Sequence, residues 1–382
     1  FLDAGHIALG SEDVGEISGG IFVDIILADE LVKIKFLVDD GSFRYVLSGS
    51  LQGVELTNIE SAPIGYLSSI EMFPLDFEEF LWANNYGENA ISNLYSHFIN
   101  QQPLSEEQHE QLLELFRRYL LVGGLPDVVN EYLATHNILN VRNLQNAIAA
   151  MYEADASQYE NNASRRLLIR RIYAMIVSQM ENKKKRIVAK DIQDIKGDRF
   201  ARYVDEFEYL LSSAISLGVN AIANPRFPLS ESLQKNLLKL YLNDVGLLTA
   251  KLYHTNIQPI LQNERSINLG AVYESVVAQE LSSHGYPLFY YDNRQKGEVD
   301  FMIDDYQIGS VLPIEVKSGR DYTIHSALNA LLNNKDYGIH KAIVFSNERQ
   351  VKKDDGVVYM PIYYVMFLDQ ERQKNTSQEL LF

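Results

Sequence analysis

Apolar and charged positions alternate most regularly in two neighbouring stretches, Glu298-Val299-Asp300-Phe301-Met302-Ile303 and Leu312-Pro313-Ile314-Glu315-Val316-Lys317-Ser318-Gly319. Side chains on a strand repeat with period two. The pattern therefore predicts two strands joined by a short polar turn, with Glu298 and Asp300 on one face of the first and Glu315 and Lys317 on one face of the second. Val299, Phe301, Ile314 and Val316 face the other way, so one alternation both builds a core and displays charge. Upstream, residues 269–284 read as a helix with Val272, Val276 and Leu281 near one stripe and Glu274 facing the strands. Gly285-Tyr286-Pro287 then turns into an apolar strand at 288–291, and a helical segment at 326–332 precedes another strand at 342–345. The predicted order is α-β-β-β-α-β.

The other end of the chain has a different rhythm. Gly19-Gly20 leads into Ile21-Phe22-Val23-Asp24, an apolar strand ending in an acid; residues 31–39 have helical period, and 43–50 form a strand that runs into Ser48-Gly49-Ser50. Strand, helix and strand with polar tips predict a parallel sheet, whose ligands bind at the carboxyl ends of the strands. Between the two ends lies helical material. Residues 90–131 read as a lid-like helical region broken at Gly123-Gly124 and Pro126, and 138–180 continue helical. Helices at 186–192 and 203–217 and a strand at 219–225 resemble a winged-helix module.

Composition narrows the classes. Of 382 residues, 46% are hydrophobic and 22% charged, ordinary for a globular chain with room for several cores. No uninterrupted apolar stretch is long enough to span a bilayer and no leader pattern is evident, so a cytoplasmic protein without a membrane span is expected. The absence of cysteine excludes disulfides and thiolate metal sites, and the eight histidines lack helix-borne zinc spacing. A net charge of −17 argues against a general nucleic-acid coat. Between Ser164 and Arg202, however, twelve basic residues stand against four acidic ones, a segment that could dock a nucleic-acid backbone or form a solvated helix face.

Carboxylates of Asp300 and Glu315 suit a hard cation such as Mg²⁺, and a nearby lysine could orient a water or offset charge on a phosphate. The same residues are also compatible with the charged outer face of a hairpin. With the α-β-β-β-α-β order, the region resembles the restriction-endonuclease-like superfamily. That resemblance implies Glu274, Asp300, Glu315 and Lys317 as catalytic residues: Asp300 and Glu315 as metal ligands, Glu274 in the outer shell or on a second metal, and Lys317 positioning the attacking water.

The segments Asp24, Ser48-Gly49-Ser50, Pro74-Leu75-Asp76-Phe77-Glu78-Glu79-Phe80, Val122-Gly123-Gly124-Leu125-Pro126 and 240–248 occur in an order that resembles AAA-type ATPases of bacteria and archaea with a C-terminal nuclease-like domain. The resemblance implies bound ATP and Mg²⁺, with Asp24 as the Walker B metal ligand and Ser48 and Ser50 in the sensor 1 region. Two features depart from it. No glycine is followed by lysine, so the phosphate-cradling loop is absent, and Asp24 is followed by Ile25 where a water-polarising Glu is usual. Because only 23 residues precede Asp24, the expectation is that the loop lies in sequence outside this chain. The expected architecture is multidomain α/β: a partial P-loop core at 1–85, a helical lid at 86–162, a winged-helix-like region at 163–261, a restriction-endonuclease-like domain at 262–370 and a tail at 371–382. The expected function is ATP binding and hydrolysis tied to a nuclease-like module. A Mg²⁺-dependent nuclease with a regulatory ATPase part and a non-catalytic interaction protein are the alternatives, and a homo-oligomer stays open.

Overall fold

The computed structural model describes residues 20–24, 39, 44–48, 70–155, 162–180, 182, 185–253, 257–262, 269–293, 295, 297–319, 321–370 and 372. It divides into two units, Phe1–Met72 with Phe207–Ala214, and Phe73–Glu206 with Ile215–Phe382. In the first unit, β1 (Gly20–Asp24) and β2 (Arg44–Ser48) pair in parallel, with Asp24 opposite Ser48 at their carboxyl ends. Ser50 and nearly all of the helix expected at 31–39 lie outside the described residues.

The second unit begins with five helices, α1 (Phe77–Ala83), α2 (Glu88–Ile99), α3 (Glu106–Val122), α4 (Pro126–Thr135) and α5 (Ile138–Asp155). The helical reading of 90–131 and 138–180 thus resolves into separate rods, with α6 (Ala163–Met180) completing the second stretch. Local chemistry sets their starts. Asp76 and Glu79 close a reciprocal capping box on α1, the Glu79 N–H donating to Asp76 Oδ1 at 2.8 Å and the Asp76 N–H to Glu79 Oε2 at 3.0 Å. Pro126 opens α4 at a position where its missing N–H costs nothing. Then follow α7 (Ala189–Gln193), α8 (Val204–Ser212), of which the residues from Phe207 on are assigned to the first unit, and, back in the second, β3 (Ser216–Ile222), β4 (Leu233–Leu242), α9 (Val245–Tyr253) and α10 (Gln258–Leu261).

The remainder is α11 (Gly270–Ser283), β5 (Phe289–Asn293), β6 (Gly297–Asp305), β7 (Ser310–Val316), α12 (Ser326–Leu332), β8 (Ala342–Ser346), β9 (Lys352–Asp354) and β10 (Val357–Pro361). From α11 to β8 the order is the α-β-β-β-α-β read from the sequence. Strands β3 to β10 form one mixed eight-stranded sheet in the order β4-β3-β5-β6-β7-β8-β10-β9. The β5-β6-β7 meander is antiparallel, whereas β8 runs parallel to β7, as the crossover through α12 requires. Strand β3 pairs in parallel with β5, so the strands of the region read as winged-helix-like continue the sheet of the region after 262.

Val299, Phe301 and Ile314 are fully buried as expected, but alternation ends there: β6 is buried at every position from Phe301 to Asp304 and β7 from Val311 to Val316, so Glu315 lies in the interior rather than on a charged outer face. Helix α11 differs from expectation, because every residue from Ala271 to Leu281 is buried rather than one stripe. A helix apolar nearly all round belongs in a core. Its few polar side chains, Glu274, Gln279 and Glu280 among them, are therefore interior groups that require partners. Among the described residues no helix is long and apolar enough to cross a membrane.

Candidate functional site

Phe301 and Ile314 form the last paired rung between β6 and β7, which leaves Asp300 and Glu315 at the next positions on adjacent strands. The Asp300 carboxylate accepts the Val316 N–H at 2.8 Å. Burial, then the Glu315 and Glu274 carboxylates, push the Asp300 pKa well above the usual range. Glu315 is raised as well, by burial, although the Lys317 ammonium opposes the shift. Lys317 donates to Glu315 Oε1 at 2.7 Å, and its own charge is favoured by Glu315 against the cost of burial.

Glu274 approaches from α11. Both of its oxygens are engaged: Lys185 Nζ lies 2.6 Å from Oε1, and the Tyr241 hydroxyl donates to Oε2 at 3.3 Å. Glu298, at the start of β6, faces a third cation. Lys239 on β4 is completely buried, its Nζ lies 2.5 Å from Glu298 Oε1 and 4.7 Å from the Tyr290 ring centroid, and burial of the ammonium is outweighed by Tyr241, Glu274, Glu298 and Asp300. Four carboxylates are thus interleaved with Lys185, Lys239 and Lys317.

This arrangement brings Glu274, Asp300, Glu315 and Lys317 together but alters the expected division of labour. Among the described residues, no three acidic or histidine side chains are disposed to hold one metal ion. Mg²⁺ nonetheless commonly takes only one or two protein carboxylates, water and substrate oxygens filling the rest. Asp300 and Glu315 fit that requirement. Glu315 Oε2 is buried without a hydrogen-bond partner, an acceptor that a cation would satisfy. Glu274 is not free to join them while Lys185 holds it. The sequence places Lys185 only in the basic stretch and Tyr241 only in the 240–248 segment, and gives Lys239 no role, although a lysine and a tyrosine within the apolar run Leu238-Lys239-Leu240-Tyr241-Leu242 are a visible irregularity.

Several basic residues between Ser164 and Arg202 are engaged in internal pairs. Lys185 meets Glu274, Arg186 meets Asp292 at 3.0 Å, Arg165 meets Asp205 and Glu206, and Arg202 meets Asp198. Lys183 and Lys184 lie outside the described residues.

At the far end of α11 three other sequence motifs meet. Glu280 accepts the Phe77 N–H at 2.8 Å, Gln279 donates to the Tyr119 hydroxyl, and Tyr119 donates to the Leu75 carbonyl at 2.6 Å. Asp244, fully buried, accepts the N–H groups of Gly124 and Leu247 at 2.7 and 3.0 Å; burial lifts its pKa to about 6 against those hydrogen bonds. His284 contacts the Leu368 carbonyl through Nδ1 and Asp76 through Nε2, so both nitrogens donate and the ring is an imidazolium. Its pKa is held up at about 9 because Asp76 and Glu280 outweigh desolvation.

Glu280 is raised from 4.5 to about 8, first by burial and then by Asp76. Between those values the folded chain keeps a proton that the unfolded chain has released, so stability falls as pH rises. His284, raised above its unfolded value, likewise contributes stability below 6.5 that disappears as pH rises through about 9. Both groups predict alkaline weakening. Glu280→Gln should therefore melt on the order of 5 °C higher than the parent near pH 9 and close to it near pH 5. Equal melting at both pH values would show that Glu280 is ionised throughout.

Residues 269–365 match a family described as a domain of unknown function, DUF4143, and residues 113–258 match a second, DUF8612. The carboxylate and lysine cluster draws on both, Lys185 and Lys239 from the second and Glu274, Glu298, Asp300, Glu315 and Lys317 from the first. No curated protein and no solved structure matches the chain.

Proposed function

We propose that the protein is an AAA-type ATP-binding protein joined to a restriction-endonuclease-like module. The observation that carries the nucleotide-binding half is the parallel register that sets Asp24 opposite Ser48 at the carboxyl ends of β1 and β2. Ligands of parallel sheets bind at that edge. In this reading Asp24 holds the Mg²⁺ of MgATP, and Ser48 and Ser50 meet the phosphate. Calorimetric titration of the whole protein with MgATP tests it. Binding weakened about tenfold or more in Asp24→Asn is the expected result, and no binding heat from the parent protein would overturn the reading.

The cluster around Asp300 favours a second activity, Mg²⁺-dependent cleavage of nucleic acid, with the nucleotide-binding part regulatory. Here Asp300 and Glu315 hold the metal, which supplies Lewis-acid polarisation of a phosphoryl oxygen. Lys317, seated beside Glu315, orients the attacking water. Cleavage of duplex or single-stranded DNA or RNA with Mg²⁺ or Mn²⁺, lost by at least about a hundredfold in Asp300→Ala and Lys317→Ala, is the expected outcome. A parent protein that cuts none of them leaves a retained fold in a non-catalytic interaction protein.

A further inference from the structure

The ammonium of Lys185 lies 2.6 Å from Glu274 Oε1, and only 15% of the Lys185 side chain is exposed. Its backbone occupies the left-handed region, φ 46°, which a non-glycine residue adopts at a cost. The Lys185 N–H donates to the Asn182 carbonyl at 3.2 Å, and the next residue, Arg186, is anchored on Asp292 of β5. Flanking contacts thus deliver a lysine from outside the α-β-β-β-α-β segment onto the one carboxylate of the cluster that α11 contributes.

Charges facing this point come from every side. Tyr241 and Lys239 face it from β4, Asp300 from β6, and Glu315 and Lys317 from the end of β7, with Glu274 itself on α11 and Glu298 reaching the cluster through Lys239. Glu315 keeps one buried oxygen without a partner, so the cluster has acceptor capacity that its lysines do not use. A divalent cation on Asp300 and Glu315 would stand near the ammonium groups of Lys239, which already favours the charged form of Asp300, and of Lys317, which pairs with Glu315. Glu274 would be unavailable to it while paired.

We propose that Lys185 is a resident counter-ion that competes with the divalent cation, so that metal loading of the Asp300 and Glu315 site requires Lys185 to leave Glu274. This regulation rests on the cation-binding reading of that site. Its physical basis is linkage through Glu274, whose charge acts on both Asp300 and Glu315: an ammonium that occupies Glu274 and a cation that would draw on its charge each lower the other's affinity. Release of Lys185 frees both a carboxylate for the metal's water shell and an ammonium for a substrate phosphate. Lys239, by contrast, is sealed in the core and stays in place.

Mn²⁺ titrated calorimetrically into the whole protein tests the proposal without recourse to activity. Lys185→Met should bind Mn²⁺ about tenfold more tightly than the parent, and Lys185→Arg, which keeps the charge, should bind like the parent. Asp300→Asn should weaken binding in both the parent and the Lys185→Met background. If Lys185→Met and Lys185→Gln both fold, by thermal melting, and bind Mn²⁺ no more tightly than the parent while Asp300→Asn still weakens it, the competition is overturned and the cation site stands. If Mn²⁺ binding ignores Asp300→Asn and Glu315→Gln, the cation site itself fails. Failure of both Lys185 variants to fold would overturn the proposal as well, since the ion pair would then be structural cement rather than a displaceable counter-ion.

Discussion

Gly124→Ala is expected to prevent the second unit from folding, or to cost it more than about 4 kcal/mol. A Cβ on Gly124 would stand 1.9 Å from the Leu75 carbonyl oxygen and 2.7 Å from the Leu75 nitrogen, both backbone atoms that cannot rotate aside. The close approach has a reason. The Leu75 N–H donates to the Gly124 carbonyl at 2.8 Å, the Gly124 N–H donates to Asp244, and Tyr119 caps the Leu75 carbonyl. Separating the two segments by the width of a methyl group therefore breaks the buried hydrogen bonds between them. Gly123→Ala should be similarly harmful, because Gly123 has φ 76° and its Cβ would reach within 2.2 Å of Asp244 Oδ1. Gly285→Ala is the control: φ is 79° but nothing lies within 4 Å, so only the conformational cost of about 1 kcal/mol applies. Thermal melts of the three variants give the comparison. A Gly124→Ala protein that melts with Gly285→Ala would show that the junction is looser than its hydrogen bonds require.

That junction explains which parts of the sequence could be read. The motifs at Pro74 to Phe80, at Val122 to Pro126 and at 240–248 stand out locally through Gly, Pro and Asp. Their joint role on Glu280, Asp244 and Tyr119 depends on long-range packing that no local pattern carries. Strands β6 and β7 are legible because apolar and charged residues alternate in Glu298 to Phe301 and Ile314 to Lys317, although both faces of most of these strands are buried, which the alternation does not reveal. Strand β4 is harder to read. Its Leu240-Tyr241-Leu242 run continues directly into α9, and its partner β3 is separated from it by a turn and a short 3₁₀ segment at Leu229–Ser232. Strand period alone sets Asp300, Glu315 and Lys317 on charged faces beside Glu298, and it is the resemblance to the restriction-endonuclease-like superfamily that implies Glu274 with them as a set. Lys185 and Lys239 are not legible as members of it, since a lysine's place depends on which distant carboxylate receives it. Asp24 and Ser48 are legible as strand ends, and their pairing follows from the parallel connection.

Lys239→Met should cost about 3–5 kcal/mol at neutral pH, the loss expected when one partner of a buried ion pair is removed. Methionine nearly preserves the volume of the lysine stem, so a loss of this size reports charge rather than a cavity. Lys239 is fully buried, with Glu298 at 2.5 Å, and Asp300 and Glu274 also favour its charge. Without its ammonium the remaining lysines must serve four carboxylates, two of which, Asp300 and Glu315, are already pushed upward in pKa. Their pKa values should rise further, so the variant's deficit should be greatest at alkaline pH and shrink as the carboxylates take up protons on acidification. Two further measurements separate charge from packing. Lys239→Met combined with Glu298→Gln should recover much of the loss, because the pair is then removed as a unit. Mg²⁺ should raise the melting temperature of Lys239→Met more than that of the parent, since a cation that binds the folded cluster replaces the missing charge. If Lys239→Met melts with the parent, at all pH values and with or without Mg²⁺, the buried ammonium is not what balances these carboxylates. The cluster would then have to be protonated instead of ion-paired, and unable to attract a metal at neutral pH.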